Sequence, residues 1–232
     1  MNDSNANNPD GNVIFSGTKE VAENLKFNES GLQEWFEENI ASAGKILKIA
    51  QFKGGQSNPT YKISTEKQQF VLRRKPPGIL LPSAHAVDRE YKVMTALQKT
   101  KVPVPKTYGL CEDETVIGTP FFIMDFLDGN IYWDLLLNDK SPAERSEIYA
   151  SKNNVIAQLH MVDYESVGLS DYGKPGNYIA RQVSRWTKQY TASETQDIPA
   201  MNKLIDWLPS NIPDEDETSI VHGDYRLDNM VF

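Results

Sequence analysis

The chain has 232 residues, 39% of them hydrophobic and 24% charged, the balance of a globular protein. Its formal charge of -8 argues against a reader of nucleic-acid backbones, which needs a basic surface. A single cysteine, Cys111, excludes an internal disulfide or a Cys-rich zinc site, and no apolar run approaches the ~20 residues of a membrane-spanning helix. The N-terminus lacks the basic start and apolar stretch of a secretory signal, so the expectation is a soluble, cytoplasmic protein.

Residues 1–12 are rich in Asn, Asp and Ser and bury too little to order themselves, and residues 1–28 are expected as a mobile tail. From Glu29 to about Ala43, Leu32, Trp35, Phe36 and Ile40 fall on one helical face. Strand-like segments follow at 46–52, 60–65 and 69–74, joined by KGGQSNP and by the compact TEKQ connection. Three prolines bar regular structure from 75–83, after which Ser83 can cap a helix running to about Lys99.

KTYGLCED and PFFIMDFL return to strands, which makes five strands and an inserted helix by Leu127. Beyond Gly129 the pattern turns helical: YWDLLLND, then a helix opened by Ser141, Pro142 and Glu144, another over Tyr178–Tyr190, and MNKLIDWLPSN at 201–211. The expected fold is α+β with two lobes: a small antiparallel sheet plus helix at 29–127, and a mostly helical part at 128–232.

Chemistry concentrates in His222-Gly-Asp224-Tyr-Arg-Leu-Asp-Asn229. Phosphoryl transfer needs a carboxylate to accept the proton of an attacking hydroxyl, with a neutral oxygen ligand beside it to hold Mg²⁺ against phosphates. Asp224 and Asn229, five apart on one loop, supply both, although Asp and Asn are also ordinary turn formers. HGDYRLDN resembles the catalytic loop of the aminoglycoside phosphotransferases and the related choline- and fructosamine-type kinases. The resemblance implies a protein-kinase-like fold, ATP and Mg²⁺ as cofactors, Asp224 as base, Asn229 as magnesium ligand and His222 as a loop-orienting residue.

It further implies a phosphate-covering hairpin at Gly54 and Gly55, a strand cation at Arg73 and a helix acid at Glu90. Arg74 or Lys75 takes the cation's place if the register slips. Glu90 sits inside the apolar stripe of Val87, Tyr91, Met94 and Leu97, where a carboxylate is costly unless a cation meets it. PFFIMDFLDG resembles the hinge between lobes, which brings the backbone of Met124, Asp125, Phe126 and Leu127 to the adenine edge. His160, in AQLHMVD, is read as structural.

VLRRKPPGILLPSAHAVDREY is similar to the phosphotransferase-like domain found ahead of acyl-CoA dehydrogenase modules. That similarity implies fusion to such a module and a hydroxyacyl-CoA among the hydroxyl acceptors. The family's second metal carboxylate lies beyond its catalytic loop. Asp206 in LIDWLPS precedes the loop and is read as a helical look-alike, so the chain is expected to be a fragment incomplete for catalysis. A non-catalytic nucleotide-binding module is the alternative.

Overall fold

A computed structural model describes residues 16–54, 58–78, 85–214 and 217–232. It contains one antiparallel sheet of β1 (Thr18–Lys19), β2 (Ile46–Phe52), β3 (Thr60–Thr65), β4 (Gln69–Arg74), β5 (Thr107–Cys111) and β6 (Phe121–Asp125), in the order β1-β2-β3-β4-β6-β5. β2, β3 and β4 coincide with the segments read from the sequence. In β3 every second side chain (Tyr61, Ile63, Thr65) is buried, while β4 buries Phe70, Val71 and Leu72 in succession.

Pairing of Tyr61 with Leu72, Ile63 with Phe70 and Leu72 with Ile123 puts these side chains on one face of the sheet. Helix α1 (Glu29–Asn39) covers that face with Leu32, Trp35 and Phe36, and Ile40 follows it, all buried. Edge-to-face aromatic contacts bind the layer, with Trp35 and Phe121 centroids 5.1 Å apart and Phe36 and Phe70 5.4 Å apart. Each such side chain contributes about 1.5–3 kcal/mol by leaving water. The Asn28 side chain caps α1 by accepting from Gly31 N–H, and the expected extension to Ala43 is a separate 3-10 turn, Ala41–Ala43.

The opposite face carries Arg73 and Phe122, which pair in register. Helix α2 (Val87–Leu97) packs there, its Tyr91 ring 6.0 Å from that of Phe122. The proposed cap, Ser83, lies outside the described residues, and Ala86 occupies the cap position without a side-chain bond. A one-turn helix, α3 (Glu114–Ile117), capped by Asp113, joins β5 to β6.

Two expectations are corrected. Residues 16–28, expected as part of a mobile tail, carry β1 and a 3-10 turn at Glu23–Leu25, and the Tyr61 hydroxyl donates to Leu25 O at 3.1 Å. YWDLLLND is not a helix. The Asp134 carboxylate instead accepts from the backbone N–H of Leu136 (3.0 Å) and Asn138 (2.9 Å), and Leu137 takes a left-handed φ of 53°. A short acidic side chain here outcompetes the helical ladder for the backbone donors.

Helix α4 (Pro142–His160) opens with the expected capping box, Ser141 N–H to Glu144 at 2.8 Å and Glu144 N–H to Ser141 Oγ at 3.3 Å. Chain contacts divide the protein into one compact unit of Met1–Met161 with Val221–Phe232 and a second of Val162–Ile220. This partition differs from a cut at 127/128, because α4 and the terminal loop group with the sheet. The second unit holds α5 (Tyr178–Ser193) and α6 (Pro199–Trp207). Apolar side chains of both helices, including Val183, Tyr190, Met201 and Ile205, line the groove between them. Asp206 is exposed on α6. Among the described residues, no helix is long and apolar enough to cross a membrane.

Candidate active site

The first cluster sits where β4 faces α2. Arg73 Nε donates to Glu90 Oε2 at 2.5 Å, and its Nη2 lies 3.3 Å from Oε1, a two-point contact of guanidinium on carboxylate. Their side chains keep 27% and 34% exposure, so the pair is half-buried. The expected strand–helix ion pair is therefore present, and the strand register selects Arg73 for it.

Arg74 points the other way. It is only 2% exposed, with its guanidinium 5.3 Å from the Phe27 ring centre, and burial lowers its pKa. Because side chains alternate along a strand, only one of two adjacent arginines can face α2.

Three residues not singled out in the sequence complete this cluster. Asn58, 2% exposed, donates its amide N–H to Glu90 Oε1 at 2.9 Å and lies 2.8 Å from His85 Nδ1 through its Oδ1. Thr60 Oγ1 accepts from Arg73 Nη1 (3.2 Å) and donates to Asn58 O (3.0 Å). Nothing in the spelling SNPTY distinguishes a network asparagine from a turn asparagine. Gly54 lies in the same β2–β3 connection, and Gly55 is outside the described residues.

At the end of β6, Asp125 N–H is already bonded to Lys106 O (2.8 Å), and its carboxylate accepts from the Tyr108 hydroxyl (2.7 Å). Burial first, and this carboxylate second, raise the Tyr108 pKa. Met124 stays in the ladder opposite Val71, so Phe126 and Leu127 are the candidate-edge residues beyond the strand. The Phe126 ring stacks on Phe52 at 6.4 Å, and Lys62 Nζ lies 3.8 Å from its centre.

The terminal loop forms the second cluster. Gly223 has φ +82°, a conformation that side-chain-bearing residues rarely adopt, and it turns the chain between His222 and Asp224. Asp224 N–H donates to His222 Nδ1 at 3.3 Å, so His222 braces the loop's backbone. Asn229 Nδ2 donates to Asp224 Oδ2 (2.8 Å) and Asp224 O (3.1 Å). With its N–H₂ so used, the Asn229 carbonyl oxygen is left as an acceptor. Arg226 pairs with Asp228, and its Nε is 4.0 Å from Asp224 Oδ1.

Tyr225 anchors the loop to α4 by donating to Lys152 O at 2.7 Å, and burial raises its pKa. Asn130 and Phe232 exchange two backbone bonds of 2.9 Å each. A Cβ on Gly129 would stand 2.7 Å from Phe232 O, so only glycine permits this approach. His160, read as structural, is exposed in the last turn of α4.

The donors suit a magnesium ion carried in on phosphates. Asn229 Oδ1 is a hard oxygen ligand, of the kind Mg²⁺ takes alongside phosphate oxygens and water.

The profile of the Phosphotransferase enzyme family (APH) matches residues 48–232. Acyl-CoA dehydrogenase family member 10 of Mus musculus is 50% identical over 186 residues, covering 80% of this chain and 17% of that protein. Acyl-CoA dehydrogenase family member 11 of Homo sapiens is 46% identical over 225 residues, covering 94% and 29%. The chain thus spans less than a third of these relatives.

A solved structure from Ralstonia eutropha JMP134, provisionally named an aminoglycoside phosphotransferase, is 53% identical, with TM-score 0.79 over 89% of this chain and 61% of that one. A variant of aminoglycoside 2'-phosphotransferase-IIIa in its GDP complex shares the fold at 14% identity, with TM-score 0.62 over 88% of this chain and 66% of that one. With a family match across most of its length, this chain belongs to the phosphotransferase enzyme family.

Proposed function

We propose that the protein is an ATP-dependent small-molecule kinase that transfers the γ-phosphate to a hydroxyl acceptor, with Asp224 as the base. The observation that carries this reading is the locked Asp224–Asn229 pair: Asn229 fixes one carboxylate oxygen at 2.8 Å. The other lies 4.0 Å from Arg226 Nε, beyond hydrogen-bond distance, and is the oxygen that meets a hydroxyl. Asp224 takes the hydroxyl proton as the acceptor oxygen bonds to the γ-phosphorus, and the bond from that phosphorus to the bridging oxygen breaks to release ADP. Arg73, held by Glu90, offers its remaining N–H groups to the phosphates, and the adenine edge meets the chain at Phe126 and Leu127. Asn229 would hold a magnesium ion against the phosphates, whose charge it would neutralise.

The relatives carry acyl-CoA dehydrogenase names, which supports fusion to such a module and a hydroxyacyl-CoA as acceptor. The test is phosphate transfer by the complete protein to hydroxyacyl-CoAs, aminoglycosides, choline and sugars. Asp224→Asn is expected to lower turnover by about 10²–10⁴-fold while ATP affinity stays within a few-fold. Near-normal turnover in that variant refutes the base. ATP binding without transfer to any acceptor assigns the protein to nucleotide binding alone.

A further inference from the structure

Four side chains and one stretch of backbone form a closed ring beside β4. Arg73 bonds Glu90, Glu90 accepts from Asn58, Asn58 O accepts from Thr60, and Thr60 accepts from Arg73. Asn58 is the link that belongs to the β2–β3 connection; Glu90 belongs to α2 and Arg73 to β4. It is also the most enclosed of the polar members, at 2% exposure.

Hydrogen-bond polarity fixes every member. A carboxylate only accepts, so the Asn58 N–H₂ must face Glu90 and its carbonyl oxygen must face His85, whose Nδ1 therefore carries the proton. Aspartate would set a second carboxylate against Glu90, and alanine would leave both Glu90 and His85 short of a partner. Three of the five guanidinium N–H groups of Arg73 are consumed by the ring, which leaves one on each terminal nitrogen for another anion.

We infer that Asn58 is a positioning residue: it ties the β2–β3 connection to the Arg73–Glu90 pair and so sets where the guanidinium meets the nucleotide's phosphates. The inference rests on the kinase reading above and adds to it a determinant of phosphate, rather than adenine, recognition. Asn58 itself touches neither the base nor the acceptor in this arrangement. Its effect should therefore grow with the number of phosphates on the ligand.

The experiment is calorimetric titration of the complete protein and its Asn58→Ala and Asn58→Asp variants with Mg·ATP and with adenosine, alongside thermal unfolding of each. Expected is a loss of Mg·ATP affinity of about tenfold or more in both variants, the size of one hydrogen bond to a charged group, with adenosine affinity within about twofold. Asn58→Asp, nearly isosteric, should be the more severe because it adds like-charge repulsion to the lost bond.

Equal weakening of ATP and adenosine, unaltered ATP binding in both variants, or failure of both to fold would assign Asn58 to the fold alone and overturn the inference. Absence of any nucleotide binding by the unaltered protein would instead remove the kinase reading, and this inference with it.

Discussion

Replacing Glu90 by alanine removes the acceptor of three hydrogen bonds at once, from Arg73 Nε (2.5 Å), Arg73 Nη2 (3.3 Å) and Asn58 Nδ2 (2.9 Å). The penalty of about 3–5 kcal/mol for stranding a fully buried charge does not apply, because Arg73 keeps 27% exposure and recruits water. Asn58 has no such recourse at 2% exposure, and its orphaned amide costs about 1–3 kcal/mol. A further 1 kcal/mol or so comes from the screened ion pair itself.

The sum is a loss of about 2–4 kcal/mol for Glu90→Ala, and less for Glu90→Gln, which keeps the shape and one acceptor. The double replacement Arg73→Met with Glu90→Leu still orphans the Asn58 amide and loses the same ion pair, so it should cost about as much as Glu90→Ala. Equilibrium urea unfolding, followed by tryptophan fluorescence at constant m-value, measures all three. A loss below about 0.5 kcal/mol for Glu90→Ala, the range of ordinary surface changes, would refute the claim that this ring stabilises the sheet–helix junction.

Gly129→Ala should destabilise the protein and free the chain end, because its Cβ would meet Val231 at 2.6 Å; faster amide exchange at Asn130 and Phe232 would report it, and unchanged protection would refute it. Ser141→Ala should cost about 1 kcal/mol by thermal unfolding through loss of the α4 cap. The Ser141 hydroxyl and backbone bonds hold the Glu144 carboxyl below its ordinary pKa of 4.5. That contribution is present above pH 4.5, is lost as pH falls through the depressed value, and should shrink in the alanine variant. Tyr61, Tyr108 and Tyr225 all have pKa values raised above 10.0 by burial. Their contribution is complete below pH 10.0 and fades as pH rises toward the folded values, so phenolate absorbance should show late-titrating tyrosines that become normal on unfolding.

Local physics made much of this protein legible before any coordinates. Strand-like runs bounded by turn residues marked β2, β3 and β4, the Ser141–Glu144 spacing marked the start of α4, and the apolar stripe around Glu90 announced a cation partner. The Asp224–Asn229 spacing announced the loop, because those two residues serve each other within one turn of chain. Where short-range competition decided the outcome, the reading failed. YWDLLLND has helical spacing, but the Asp134 carboxylate captured the backbone donors that a helix would need.

Long-range geometry settled the rest. Choosing Arg73 over Arg74 required the pairing register with β6, because alternation alone does not say which face meets α2. Asn58 is 32 residues from Glu90 and 27 from His85, and Thr60 is 13 from Arg73, so only the folded sheet brings them within hydrogen-bond reach. Residues 16–28 belong to the stretch expected as a mobile tail. Their order comes from a sheet edge and a buried tyrosine elsewhere in the chain, whose partners no local pattern encodes.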